Sequence, residues 1–136
     1  MKNDVILNKV STIERCIDRV QEVYGENPDT LEDFTKQDSI VLNIQRACEA
    51  SIDLAMHIVA EKRLGLPQTS REAFDMLASA AIINKEVAKQ LKAMVGFRNI
   101  AVHDDQAMNL EILEQIITKH LGDFKAYTQE ILSYPE

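Results

Sequence analysis

The stretch Gln37–Glu61, QDSIVLNIQRACEASIDLAMHIVAE, decides how the chain folds. Ile40, Val41, Ile44, Ala47, Cys48, Ser51, Ile52, Ala55, Ile58 and Val59 recur at three- and four-residue steps. That is the period of an α-helix, with no alternation of period two and no Gly or Pro inside it. The apolar arc is wider than the roughly 100° stripe of a surface helix. The segment is therefore expected to be buried on more than one side, as the central helix of a bundle. It is expected to start near Gln37 or Asp38 and to end at Gly65 and Pro67.

On the N-terminal side, Ile6, Val10, Ile13, Ile17, Val20 and Tyr24 form one stripe from about Asn3 to Tyr24. Gly25 sits where a helix C-cap belongs, with Pro28 just beyond. Residues 26–36 read as a polar connection in which Leu31 and Phe34 are candidates for local packing. On the C-terminal side, Thr69 and Glu72 fit a capping box for a short helix carrying Phe74 and Leu77. Asn84 is a cap for a fourth segment with Val87, Leu91, Met94 and Val95. Asn109 is a cap for a last one with Leu113, Ile116, Ile117, Leu121, Phe124, Tyr127 and Ile131. The expected fold is all-α: an up-and-down four-helix bundle with an additional short helix, as a single domain over 1–136.

Composition agrees. The chain has 136 residues, 46% hydrophobic and 27% charged, with only 4 Gly and 3 Pro, which leaves little room for turns. No run reaches the roughly 18 apolar residues of a membrane span. The N-terminus lacks a signal-peptide core, so a cytoplasmic location is expected. Cys16 and Cys48 each lie in an apolar helical pattern and read as buried, reduced thiols. The net charge of −7 argues against an extended electrostatic track for nucleic acid, though not against local handling of a phosphodiester.

The chemistry-bearing stretch is Met94–Asp105, where Arg98, Asn99, His103, Asp104 and Asp105 crowd together at the end of a helical pattern. On an ideal helix residues five apart differ by about 140°, and residues four apart by about 40°. Asn99 and His103 would share a face, whereas Arg98 and His103 converge only if the helix ends, bulges or unwinds near Val102. Such a trio suits phosphoryl transfer in RNA. An imidazole exchanges a proton with the 2′-hydroxyl or the leaving 5′-oxygen, a guanidinium holds the phosphate, and Asn99 orients the imidazole or binds an oxygen. No metal or other cofactor is required. The competing reading pairs Arg98 with Asp104 or Asp105 and makes His103 a helix cap. Because one chain supplies one such His, a symmetric homodimer that pairs two copies of the stretch is expected.

Other candidates are weaker. His57 reads as a packed or surface residue and His120 as exposed, and no His-x3-His or paired Glu-x-x-His arrangement suggests a metal site. Asp38 is a candidate to fix the Arg98 guanidinium, with an N-cap role as the alternative. Arg46 and Arg71 are candidates for phosphate contact, with ordinary surface pairing as the alternative.

Arg98-Asn99-x-x-x-His103 resembles the Arg-x4-His motif of the HEPN superfamily. The stretches NKVSTIERCIDRVQEVY (8–24), FTKQDSIVLNIQRACEASIDLAMHIV (34–59), LGLPQTSREAF (64–74) and LKAMVGFRNIAVHD (91–104) resemble its HepT branch, so the resemblance covers nearly the whole chain. It implies a dimeric helical bundle acting as a metal-independent RNA endonuclease, with Arg98 and His103 as the catalytic pair. It also implies a partner, an MntA-like nucleotidyltransferase antitoxin that transfers AMP to a Tyr two residues after the His. Here that position is Asp105, so the modification is not carried over. A carboxylate beside His103 favours the imidazolium and repels a phosphate. Weaker cleavage than in a Tyr-bearing relative is therefore expected. The rival function is a non-catalytic binding partner or substrate-binding subunit of such a nucleotidyltransferase.

Overall fold

A computed structural model describes residues 1, 3–103 and 109–135; of residues 98–103 it describes the backbone alone. Helix α1 spans Asp4–Tyr24. Asn3 caps it by accepting from the Ile6 amide at 2.9 Å, and Gly25, at φ 58°, ends it with its amide on the Gln21 carbonyl. The left-handed backbone there is a conformation glycine adopts at no steric cost. The stripe Ile6, Val10, Ile13, Ile17, Val20 and Tyr24 is buried, as its spacing predicts.

The connection is more ordered than its composition suggests. Pro28–Glu32 forms a 3-10 turn capped by the Asn27 side chain on the Asp29 amide. The Thr30 hydroxyl donates to the Tyr24 carbonyl at 3.0 Å, and Leu31 is buried. Phe34, the other expected packing residue, is 78% exposed because it opens the next helix facing solvent.

That helix, α2, spans Phe34–Glu61 and begins a turn earlier than expected, since Asp33 caps it by accepting from the Lys36 amide at 3.2 Å. Its buried set, from Ile40 to Val59, adds Ala50 and Leu54 to the expected stripe, of which Val41 is only half-buried. It packs against α1, α3 (Ser70–Ser79) and α4 (Lys85–His103), so it is the central helix. Thr69 caps α3 through the Glu72 amide at 3.1 Å. The Glu72 carboxylate returns to the Gln68 amide, one residue before the position of an ideal capping box.

Asn84 caps α4 through the Val87 amide at 2.8 Å and is itself held by both carboxylate oxygens of Glu130. The last expected helix is built in three parts: α5 (Leu110–Gln115), a π-helical turn (Ile116–His120) and α6 (Leu121–Ser133). Asn109 caps α5 as expected. The Thr118 hydroxyl donates to the Glu114 carbonyl at 2.8 Å within the widened turn, a back-bond that bends helices. Among the described residues there is no strand.

Three contacts set the ends of the bundle. Asn3 Nδ2 donates to Glu61 at 2.7 Å, the Met1 nitrogen donates to the Tyr134 carbonyl at 2.7 Å, and Asn84 holds Glu130. The starts of α1 and α4 thus share one end with the finishes of α2 and α6. The finish of α4 lies at the opposite end, beside the start of α2.

Candidate active site

Helix α4 carries Arg98, Asn99 and His103 in its last turns. Its buried residues Val87, Ala88, Leu91, Met94, Val95 and Phe97 anchor it up to the residue before Arg98. On α2, Cys48 Sγ donates to the Met94 carbonyl at 3.5 Å and fixes the height of the two helices. Both cysteines are buried and unlinked, as expected.

The backbone of α4 is helical through His103, the last residue described before Asn109. Positions 98 and 103 therefore lie about 140° apart around its axis, and positions 99 and 103 about 40° apart. Whether Arg98 and His103 converge at the end of α4 depends on side chains and on residues 104–108, which lie outside the described residues. The side chains of Arg98, Asn99 and His103, and the whole of Asp105, lie outside the described residues.

Arg71, from α3, lies against the same face of α4. Its Nε donates to the Lys92 carbonyl at 3.1 Å, and its Nη2 would stand 3.3 Å from a Cβ at Gly96. Positions 92, 96, 99 and 103 fall within about 60° of one another on a helix. A guanidinium thus sits on the arc that continues to Asn99 and His103, one turn before Asn99. Lys92 Nζ also reaches Asp75 at 2.8 Å, which ties α3 to α4 at this level.

Asp38 is exposed in the second turn of α2, and Asp33, not Asp38, is the cap. Counted from the Cys48–Met94 contact at about 1.5 Å per residue, Asp38 is roughly level with position 103. On the other flank, a cavity of about 540 Å³ opens between α4 and the α5–α6 arm, lined in part by Gly96, Phe97, Ile112, His120 and Asp123. His120 Nδ1 lies 3.0 Å from Asp123 Oδ2, so this histidine is half-exposed but paired. His57 Nε2 lies 2.8 Å from Glu61 Oε2, one turn further along α2. Among the described residues no cluster of His, Cys, Asp and Glu could hold a metal.

A helical bundle with Arg-x4-His at the exit of an inner helix defines a HEPN-type protein. The family model "Ribonuclease HepT-like" matches residues 13–131, and the chain belongs to that family. It is 50% identical over 129 residues to the mRNA nuclease HepT of Shewanella oneidensis, covering 95% of this chain and 97% of that one. It is 28% identical over 131 residues to the tRNA nuclease HepT of Aphanizomenon flos-aquae, covering 96% and 89%. The fold matches the tri-AMPylated Shewanella oneidensis HEPN toxin solved in complex with its MNT antitoxin. The TM-score is 0.92 at 48% identity, covering 98% of this chain and 100% of that one. It matches equally a toxin–antitoxin structure with AMP-PNP, at TM-score 0.92 and 48% identity over 97% of this chain.

Proposed function

We propose that this protein is a toxin ribonuclease that cleaves RNA by attack of a 2′-hydroxyl on the adjacent phosphorus. A base takes the 2′-hydroxyl proton, the 2′-oxygen bonds to phosphorus, and the 5′-oxygen leaves with a proton from an acid. The products are a 2′,3′-cyclic phosphate and a 5′-hydroxyl. His103 is one of these proton-transfer groups, Arg98 holds the phosphate, and Asn99, on the His103 face, orients the imidazole or an oxygen. Asp38 orients a guanidinium, a role that its level on α2, near that of position 103, supports.

The observation that carries this reading is the Arg-x4-His sequence at the exit of an anchored α4, in a chain matched by the ribonuclease family model over 13–131. The angular separation of positions 98 and 103 favours a homodimer. Each cleavage centre then takes its second proton-transfer group, and a guanidinium facing it, from the other copy. The reaction needs no metal. The protein acts in the cytoplasm, where an MntA-like nucleotidyltransferase antitoxin neutralises it; no described helix is long and apolar enough to cross a membrane. Incubation of labelled single-stranded RNA with the wild type, Arg98→Ala and His103→Ala tests this. Loss of cleavage in folded variants supports the reading. Tight binding of the nucleotidyltransferase without cleavage by any of them would replace it with a non-catalytic binding role.

A further inference from the structure

On the α1–α2 side of the bundle, away from α4, three guanidinium groups meet. Arg15 and Arg19 lie one turn apart on α1, and Arg46 comes from α2. With Thr12, Cys16 and Asn43 they line a groove of about 370 Å³ that contains no acidic side chain. Arg19 has only a long contact to Glu22, at 3.9 Å. Among the described residues, Arg15 and Arg46 are in no ion pair. Both charges act on the Cys16 thiol, which burial pushes up and the two guanidinium groups pull down, so the two helices direct positive charge to one point. In a chain of net charge −7, three arginines gathered with one long contact to a carboxylate are not explained by folding, because like charges repel.

We propose that this groove binds the phosphodiester backbone of the RNA substrate at nucleotides beyond the cleaved bond, a reading that rests on the ribonuclease function above. Guanidinium forks match phosphate oxygens in geometry and charge. The two polar neighbours add a preference for ribose. The Asn43 amide already donates to the Ser39 carbonyl at 2.8 Å, and the Thr12 hydroxyl to the Asn8 carbonyl at 3.1 Å. Asn43 Oδ1 and Thr12 Oγ1 keep acceptor capacity, which a 2′-hydroxyl satisfies and deoxyribose does not. The groove is also at the right height. Counting from Cys48 and Met94, Arg98 is level with Ile44, inside the Asn43–Arg46 turn. With helices about 10 Å across, the groove and the α4 motif are separated by on the order of 10–20 Å. A dinucleotide reaches only one of them; a longer strand reaches both.

The test is equilibrium binding of a fluorescent single-stranded RNA by the His103→Ala protein, over a salt series, with and without Arg15→Gln/Arg46→Gln. The expected result is binding weakened at least tenfold and a log–log salt slope shallower by about 1.4, from two lost contacts at about 0.7 each on a single strand. Lys125→Gln, an exposed control on α6, should leave both unchanged. DNA of the same sequence should bind the parent more weakly than RNA. If the double variant does not fold, each single variant should lower the slope by about 0.7. Parent binding with an unchanged slope in folded variants overturns the inference and leaves the ribonuclease reading standing. Competition by AMP or inorganic phosphate at the affinity of RNA also overturns it, since the groove would then be a mononucleotide site. So does loss confined to binding of the nucleotidyltransferase, which would make it a protein interface. No RNA binding by the parent at any salt removes the ribonuclease reading itself.

Discussion

Tyr127 Oη donates a 2.9 Å hydrogen bond to the Ser51 carbonyl, deep between α6 and the central helix. The ring is fully buried and meets Phe74 of α3 edge-on, with centroids 5.7 Å apart. One side chain thus joins three helices. Replacing the hydroxyl, Tyr127→Phe, should cost about 1 kcal/mol in a urea titration, the usual value of a neutral hydrogen bond. The variant also carries a pH signature. Burial raises the Tyr127 phenol well above its ordinary value of 10.0. The folded state therefore keeps its proton when the unfolded chain has lost it. The resulting contribution to stability is complete below about pH 10 and falls as pH rises beyond it. Tyr127→Phe should flatten that alkaline loss; an unchanged alkaline slope would contradict the assignment.

Gly96 leaves room for the Arg71 guanidinium on the face of α4 that runs to positions 99 and 103. Gly96→Ala gains helix propensity of up to about 1 kcal/mol, while the flexible end of Arg71 gives way by a few tenths of an ångström. Thermal melts should therefore show an unchanged or raised Tm. Arg71→Gln should leave stability within about 0.5 kcal/mol, as for an exposed position, and raise KM for RNA several-fold. Equal KM values for Arg71→Gln and wild type would assign Arg71 to helix packing alone.

Asn84 both caps α4 and grips Glu130 of α6, so it sets the angle at which the motif helix enters the bundle. Asn84→Ala should cost about 1–2 kcal/mol. Asn84→Asp should keep the cap but repel Glu130, giving a smaller loss that shrinks when Glu130 is also changed to Gln. A double-mutant cycle with no coupling would contradict the shared role.

We propose, from the resemblance to the family motif, that Asp105 occupies the position of its AMP-accepting Tyr. Asp105→Tyr should raise RNA cleavage several-fold by removing a carboxylate two residues after His103 in sequence. It should also create an acceptor for labelled AMP supplied by the nucleotidyltransferase partner from ATP. Unchanged cleavage together with absence of label would show that position 105 matters to neither process.

The bundle was legible because its signals are local. The Ile6–Tyr24 stripe, the caps at Thr69, Asn84 and Asn109, and the terminator Gly25 are each written within a few residues. The π-turn at Ile116–His120 was not, because the apolar stripe stays continuous through it. Phe34 looked like a packing residue until Asp33 proved to be the cap that turns it outward. Arg15 and Arg19 share a helix face by spacing alone, but their meeting with Arg46 is tertiary, as is the approach of Arg71 to Gly96. The chemistry of Arg98 and His103 was readable as a motif, while their angular separation on α4 needed the backbone.

Cleavage by the α4 motif is read from the rate at which the purified protein cuts a labelled single-stranded RNA in EDTA, for wild type and His103→Ala side by side. The wild type should cleave, leaving 2′,3′-cyclic phosphate ends, and a folded His103→Ala protein should be slower by at least about 100-fold. Equal rates for the two proteins, or cleavage abolished by EDTA alone, would contradict that role of the motif.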